Sequence, residues 1–281
     1  MNLAPLITPA ALRPLLASGQ VCLLDARTGP GARAAFEARH LAGAQFVDLE
    51  RDLAAPAPDP AAGGRHPLPF PEQFARRLGE WGIEPASRVV VYDDKQGANA
   101  AARLWWLLRA SGHAAVQVLD GGWQAALAAG LPVATGPEPA TAPRPPYPAT
   151  AWLLPTVDAD HVQRVLRAGT GLVIDVREAR RYRGEVEPID VVAGHIPGAL
   201  NVPFSENLDA AGQFLSPEAL RAKYAPLVTG AGEVVVHCGS GVTACHTLLA
   251  LAHAGLPLPS LYVGSWSEWS RSGRPLATGA A

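Results

Sequence analysis

The chain has 281 residues, 48% of them hydrophobic and 17% charged, which is the balance of an ordinary globular protein. This length exceeds one average domain and accommodates two, each large enough to bury a core. The formal net charge of -2 and the lack of a basic run argue against a nucleic-acid partner. No apolar stretch reaches membrane-spanning length, so we expect no membrane partner.

The N-terminus and the cysteines indicate a compartment. Residues 1–16 read MNLAPLITPAALRPLL, without Lys or Arg ahead of an apolar core, so they lack the charged start of a secretory signal. The cysteines, Cys22, Cys238 and Cys245, are too few and odd in number for a disulfide framework. We therefore expect a cytoplasmic protein in which a thiol works as a thiol.

Strand and helix patterns alternate along the chain. Short runs of aliphatic and β-branched residues read VCLLD, RVVVY and VQVLD in the first half, and GLVID, EVVVHC and SLYVG in the second. Longer helical patterns such as AAARLWWLLRASG and TACHTLLALAHAG separate them. Continuous apolar strands between helices predict the α/β class, with a parallel sheet flanked by helices in each half.

The second half repeats the first. Segments of the first half return in the same order in the second: LLDAR at 23–27 as VIDVR at 173–177, HLAGA at 40–44 as HIPGA at 195–199, and VVVYD at 89–93 as VVVHC at 234–238. Residues 134–152 between the copies are rich in proline, which disfavours helix and predicts an extended linker. We predict two tandem domains, 1–133 and 153–281, joined by this linker.

One loop is suited to hold a thiolate. The run EVVVHCGSGVTACHTLL, from Glu233, places Cys238 between the end of a buried strand and the start of a helix. Unpaired backbone N–H groups and the positive end of the helix dipole stabilise an anion there. The loop residues that we expect to contact a bound substrate are Gly239, Ser240, Gly241, Val242 and Thr243.

The other cysteines are predicted to be core residues. Cys245 falls inside the following helix and Cys22 in the first strand. In the first half, aligning VVVYD with VVVHC puts Asp93 where Cys238 stands. Because a carboxylate cannot accept a sulfur atom, we predict that the first domain is non-catalytic and the second catalytic.

The motif CGSGVTAC resembles the active-site loop of the mercaptopyruvate-using sulfurtransferases of the rhodanese family. FEARHLAGA at 36–44, RHPLP at 65–69 and GSWSEW at 264–269 are similar to other segments of that family. The resemblance covers essentially the whole chain and implies a tandem pair of rhodanese-like domains. It also implies a reaction in which Cys238 takes sulfur from a small donor as a persulfide and passes it to a thiol or cyanide.

The resemblance assigns further site residues. An arginine after an aromatic residue is expected to bind the donor's carboxylate, which maps onto Arg183 in RYRGEVEP. A second arginine of the family has no counterpart, since Ile189 stands near its place, and Arg180 or Arg181 is left to replace it. A Ser and His proton relay maps onto Ser240 and His40, although His195, the repeat mate of His40, favours a structural role for both.

Several functions remain open at this stage. The neutral Gly239 and Ser240 favour 3-mercaptopyruvate over the doubly charged thiosulfate, which stays the alternative donor. The acceptor is expected to be a thioredoxin-like protein or a low-molecular-weight thiol. A non-catalytic binding module is the further alternative, whereas a phosphatase is disfavoured because Ala244 stands where its arginine is needed. We expect no cofactor and no metal, since no His/Cys cluster has coordination spacing.

Overall fold

The computed structural model describes residues 3–139, 141–230 and 232–280, which divide into two compact units. The first unit comprises the chain up to Ala54, Pro69–Leu153 and Ala211–Gln213. The second comprises Ala55–Leu68, Leu154–Ala210 and the chain from Phe214 on. Residues 55–68 therefore group with the second unit, although they fall within the predicted first domain. The predicted domain boundaries and the predicted linker 134–152 stay predictions. Ala140, within that linker, lies outside the described residues.

The described residues of the first unit form a parallel sheet, an antiparallel ribbon and six helices. Its strands are β1 Leu6–Ile7, β2 Cys22–Asp25, β3 His40–Leu41, β4 Ala44–Phe46, β5 Val89–Tyr92, β6 Val116–Leu119 and β7 Val133–Ala134. Its helices are α1 Pro9–Ser18, α2 Ala32–Ala38, α3 Leu49–Asp52, α4 Pro71–Glu80, α5 Ala100–Ala110 and α6 Gly122–Ala128. The sheet order is β1-β6-β5-β2-β4, all parallel, and β3 pairs with β7 in an antiparallel ribbon.

The second unit repeats this arrangement. Its strands are β8 Thr156–Val157, β9 Gly171–Asp175, β10 Leu200–Asn201, β11 Glu233–His237 and β12 Ser260–Tyr262. Its helices are α7 Ala159–Ala168, α8 Ala179–Tyr182, α9 Pro217–Val228, α10 Ala244–His253 and α11 Ser265–Trp269, with a 3₁₀ turn at Phe204–Asn207. The sheet order is β10-β9-β11-β12-β8, again all parallel.

The two central strands show why the sheets are buried on both faces. All four residues of β5, VVVY, are buried, and so are the last four of β11, EVVVH. β-Branched residues suit such strands, since their stiff side chains pack well on a pleated surface. Helices cover both faces, so polar groups collect where the strands end. The predicted α/β class, with two parallel sheets flanked by helices, is confirmed.

The proline-rich segment packs along the first unit. The backbone N–H of Arg144 donates to Gly79 O at 2.8 Å, and that of Tyr147 donates to Ala75 O at 2.9 Å. A Cβ on Gly79 would lie 2.6 Å from Pro145 O, so only glycine allows this approach to α4. In the parts of the chain that the structure describes, no helix is both long and apolar enough to cross a membrane.

Candidate active site

The backbone of Cys238 is fixed from two sides. The residue follows β11 directly and is only 2% exposed. Its N–H donates to Ser265 Oγ at 3.1 Å, and its carbonyl accepts the N–H of Trp266 at 3.0 Å. Ser265 itself has a positive φ of 53°, an uncommon conformation for a residue with a side chain. The start of α11 therefore holds the cysteine at one position at the strand end.

The loop after Cys238 presents unpaired backbone donors. Among the residues that the structure describes, the N–H groups of Gly239, Ser240, Val242 and Thr243 donate to no protein acceptor. Gly239, Ser240 and Val242 are buried and Thr243 is half-buried. Buried backbone donors almost always have a partner, so a loop with four free ones is suited to bind an anion.

The two glycines of this loop serve different purposes. Gly241 has φ +74°, and a Cβ there would lie 2.4 Å from the carbonyl oxygen of Val263, so only glycine fits. Gly239 is not among the positive-φ glycines. Its open side instead faces Arg65 Nη2, 3.5 Å from the position of a Cβ, and Arg181 Nη2 at 3.6 Å. The missing side chain leaves room between Cys238 and two cations.

Ser240 is paired with His66, which the sequence pattern does not predict. His66 Nδ1 lies 2.8 Å from Ser240 Oγ. The preceding Gly64, with φ +81°, packs so closely on Gly264 that a Cβ would lie 2.4 Å from its carbonyl oxygen. This contact positions the segment before His66. His66 lies in the segment RHPLP, and a contact between residues 174 positions apart leaves no local sequence pattern that predicts it.

His40, the histidine predicted for the proton relay, has a partner within its own unit at each ring nitrogen. Its Nδ1 lies 2.7 Å from Phe36 O, and its Nε2 lies 3.0 Å from Glu138 Oε1. The ring is fully buried and stacks on Phe36 at 4.0 Å. His195 is held in the same way, with Nδ1 2.8 Å from Tyr182 O and the ring stacked on Tyr182 at 3.8 Å. Both histidines support a turn, and His66 replaces His40 as the candidate partner of Ser240.

The arginine beside the loop is Arg181 rather than Arg183. The side chain of Arg183 is 38% exposed, and its Nε donates to Glu185 Oε1 at 2.6 Å. Arg180 is 69% exposed and also pairs with Glu185. Arg181 is 16% exposed and reaches Gly239. Tyr182, which lies between the two arginines, is buried, and its hydroxyl donates to Ala199 O at 2.6 Å. Because Tyr182 is fixed in this way, Arg181 and Arg183 point to different sides.

Two buried carboxylates hold the cations near Gly239. Glu187 accepts Arg181 Nη2 at 2.6 Å, and its Oε1 also accepts the backbone N–H of Asp190 at 3.0 Å. Asp190 has a fully buried side chain that pairs with Arg65, with Arg271 at 3.0 Å and with Arg181 at 3.5 Å. Arg177 also contacts Glu187, at 3.5 Å, and pairs with Asp175. Four guanidinium groups and three carboxylates leave one formal positive charge in this cluster.

A second buried ion pair lies under the strand end. Arg177 Nη2 is 2.6 Å from Asp175 Oδ2, and its guanidinium lies over the Trp266 ring at 4.7 Å. Burial alone would lower the pKa of Arg177, but the Asp175 charge, with smaller effects of Glu187 and Cys238, raises it. Burial is also the main reason why the pKa of His237 is lowered, so this histidine is neutral. Arg177 is therefore a permanent cation under the end of β11, close enough to Cys238 to interact with it electrostatically.

In the equivalent loop of the first unit, backbone N–H groups bind the carboxylate of Asp93. Asp93 follows β5, and its Oδ1 accepts the N–H groups of Lys95 at 2.9 Å and Gly97 at 2.8 Å. Its Oδ2 accepts those of Asn99 at 3.3 Å and Ala101 at 3.1 Å. The side chain is fully buried; burial raises the pKa of Asp93 and the four donors oppose that effect.

The remaining cysteines have no such surroundings. Cys245 is fully buried in α10, with Sγ 3.4 Å from Gly241 O. Burial raises the pKa of Cys22 to about 12, against a small lowering by Gln45. Neither thiol is suited to act as a nucleophile at neutral pH, because the thiolate is the reactive form.

A fixed cysteine, amides that can hold an anion and neighbouring cations are features suited to thiol-dependent group transfer. A sequence profile described as the rhodanese-like domain matches residues 8–129 and 158–272. The chain belongs to the rhodanese family.

Curated relatives cover nearly the whole chain. A Pseudomonas aeruginosa protein named "Probable 3-mercaptopyruvate sulfurtransferase" is 46% identical over 99% of this chain and 100% of its own length. Thiosulfate sulfurtransferase of Mus musculus is 36% identical over 88% of this chain and 83% of its own. A solved structure, 3-mercaptopyruvate sulfurtransferase from Leishmania major, superposes with a TM-score of 0.81 at 33% identity, covering 96% of this chain and 75% of that one. The predicted family and the assignment to the sulfurtransferase enzymes are confirmed.

Proposed function

We propose that this chain transfers a sulfane sulfur from 3-mercaptopyruvate, through a persulfide on Cys238, to a thiol acceptor or cyanide. The observation that carries the proposal is the loop after β11, in which the N–H groups of Gly239, Ser240, Val242 and Thr243 have no acceptor in the described part of the chain. A persulfide anion on Cys238 is an acceptor of suitable size for them.

The first step forms an S–S bond and breaks a C–S bond. The Cys238 thiolate attacks the sulfur of the donor, and the electron pair of the C–S bond passes to carbon and gives the enolate of pyruvate. The enolate takes up the proton of the transferred SH group, so pyruvate and the Cys238 persulfide anion are the products. The thiolate of the acceptor then attacks the outer sulfur, the S–S bond to Cys238 breaks, and the products are the acceptor's persulfide anion and the Cys238 thiolate.

Ser240 and His66 supply the proton path in this proposal. Their contact of 2.8 Å lets the pair hold a proton next to the loop and deliver it toward the enolate. The roles proposed for Gly241, Val242 and Thr243 are to shape the loop and to donate backbone hydrogen bonds. Arg181, in place of Arg183, is proposed to bind the donor's carboxylate, because only Arg181 of these two reaches Gly239.

The charge beside Cys238 favours the mercaptopyruvate donor. Arg65, Arg181 and Arg271 face the carboxylates of Glu187 and Asp190, which leaves a single formal positive charge. One positive charge matches the single negative charge of 3-mercaptopyruvate better than the two of thiosulfate. Thiosulfate stays the alternative donor, in keeping with the name of the mouse relative.

We further propose that the protein works in the cytoplasm and that its acceptor is a low-molecular-weight thiol or a thioredoxin-like protein. The three free cysteines support this compartment, since a reducing environment keeps thiols available. A reduced thiol is then also the most abundant acceptor for the persulfide.

Mass spectrometry and kinetics test the proposal together. Brief exposure to 3-mercaptopyruvate should add the mass of one sulfur atom to the peptide that contains Cys238, and a thiol should remove it. With one acceptor, kcat/KM should be higher for 3-mercaptopyruvate than for thiosulfate. A wild-type chain that stays unmodified would refute the persulfide, and a higher kcat/KM for thiosulfate would refute the choice of donor alone.

A further inference from the structure

Arg65 is an unexpected second cation at the open side of Gly239. Its Nη2 lies 3.5 Å from the position of a Cβ on Gly239, and Arg181 Nη2 lies 3.6 Å from the same point. Since Gly239 follows Cys238 directly, both guanidinium groups border the space next to the reacting sulfur. Arg181 comes from α8, whereas Arg65 comes from the segment 55–68.

The structure fixes Arg65 at both ends. Its backbone N–H donates to Ser267 Oγ at 3.1 Å. Its guanidinium pairs with Asp190, whose carboxylate is fully buried and also pairs with Arg271. The Arg65 side chain is 21% exposed, so it is shielded but still open to a ligand. A cation oriented in this way loses little conformational freedom when it binds an anion.

The segment after α8 cannot provide this second cation. Residues 184–193 read GEVEPIDVVA, which contains three carboxylates and no Lys or Arg. Ile189 in this segment is 57% exposed and carries no charge. A carboxylate held by Arg181 alone would have one guanidinium group, and the atom nearest to the Cβ position of Gly239 belongs to a second one, that of Arg65.

We propose that Arg65 is a specificity-determining residue that binds, together with Arg181, the carboxylate of the sulfur donor. The inference rests on the proposed function and extends it to a class of donor: small thiols with a carboxylate close to the sulfur. Asp190 is the positioning residue of the pair, since its buried carboxylate holds Arg65 while Glu187 holds Arg181. The proposal makes the segment before His66 part of the donor site.

The test compares two donors that differ in the carboxylate alone. In mercaptoacetone, a methyl group replaces the carboxylate of 3-mercaptopyruvate. Arg65→Gln should raise KM for 3-mercaptopyruvate about 10-fold to 100-fold, the usual cost of a lost charged hydrogen bond. The same variant should change kcat/KM for mercaptoacetone less than about twofold. Arg65→Lys, which keeps the charge and loses the planar fork, should recover part of the loss.

Arg183→Gln is the matched control. It removes an arginine close in sequence to Arg181 whose side chain pairs with Glu185 at the surface, and it should leave KM for both donors unchanged. Arg65→Gln is expected to fold, because Asp190 keeps Arg271 and Arg181 as partners. Thermal unfolding checks this expectation independently of activity.

A direct binding measurement removes the dependence on turnover. In the Cys238→Ser background, calorimetry should show that Arg65→Gln weakens binding of 3-mercaptopyruvate by the same factor as it raises KM. Equal losses for both donors, or an unchanged affinity, would overturn the role of Arg65. Either result would leave the proposed function intact as long as the wild-type chain forms the Cys238 persulfide from 3-mercaptopyruvate.

Discussion

The loops after β5 and β11 begin at equivalent strand ends but differ in what their backbone amides bind. After β5, the carboxylate of Asp93 accepts four loop N–H groups at 2.8 to 3.3 Å. After β11, the equivalent residue is Cys238, and four N–H groups of its loop have no acceptor among the described residues. The same loop occurs in both units. In the first unit its amides bind a carboxylate of the protein, and in the second they are available to bind the proposed persulfide.

The comparison also separates structural from chemical residues. In the first unit, Arg27 pairs with Asp25 at 2.6 Å and its guanidinium group lies over the Trp123 ring. In the second unit, Arg177 pairs with Asp175 at 2.6 Å and lies over the Trp266 ring. Because a carboxylate, that of Asp93, occupies the loop of the first unit, we interpret the features that the two units share as supports of the fold. Features confined to the second unit, such as Cys238, are the candidates for chemistry.

Replacing Cys238 should have the largest effect. Cys238→Ser should lower sulfur transfer by at least about 10³-fold, because no other thiol is placed to carry the persulfide. Cys238→Asp copies the residue of the first unit and should be equally inactive. Its carboxylate should accept the free loop amides, so the urea midpoint of unfolding should not fall below that of Cys238→Ser.

These two variants can contradict the interpretation that the loops after β5 and β11 are equivalent. Activity in Cys238→Ser above the stated limit would remove Cys238 from the mechanism. A strong loss of stability in Cys238→Asp relative to Cys238→Ser would show that the loop amides do not converge on the side chain of residue 238.

Replacing Asp93 should reduce the stability of the protein and leave its activity unchanged. Asp93→Asn exchanges a carboxylate oxygen for an NH₂ group that faces N–H donors, which should cost about 3 kcal/mol of unfolding free energy in the first unit. Urea denaturation monitored by several probes can follow the units separately. Sulfur transfer by the folded enzyme should be unchanged.

Glu72→Gln is the control for this change. It makes the same exchange on an exposed residue of α4 and should alter the unfolding free energy by less than about 0.5 kcal/mol. If Asp93→Asn proved as neutral as this control, the carboxylate would not be needed to satisfy the amides of its loop.

His66 tests a feature that the first unit lacks. His66→Ala removes the partner of Ser240 and should lower kcat about 100-fold, the lower end of the usual range for a lost proton-transfer group. His40→Ala should reduce stability and leave kcat of the folded enzyme unchanged, because both ring nitrogens of His40 bind structural partners. Rapid-mixing measurement of pyruvate release gives kcat for both. The reverse pattern would restore His40 to the relay.

The sequence predicted what repeats or is local, and it missed what depends on long-range packing. The α/β class and the equivalence of Asp93 with Cys238 followed from the internal repeat and from strand patterns. The pairing of His66 with Ser240 spans 174 residues, so it could not be found from spacing. Arg181 and Arg183 were indistinguishable by residue type, since their directions depend on how Tyr182 packs against His195.

The smallest expected effect comes from Gly239. With no positive φ and Arg65 and Arg181 at 3.5 Å or more from a Cβ, Gly239→Ala should fold normally. The added methyl group would take up space between the loop and the arginines, so KM for 3-mercaptopyruvate should rise about fivefold, equivalent to about 1 kcal/mol.

Gly241→Ala should instead destabilise the fold by about 2 kcal/mol, since its φ of +74° and the carbonyl of Val263 exclude a side chain. Thermal unfolding and donor kinetics on both variants separate the two roles: a destabilised Gly239→Ala would mean that this glycine shapes the loop and does not make room for the donor.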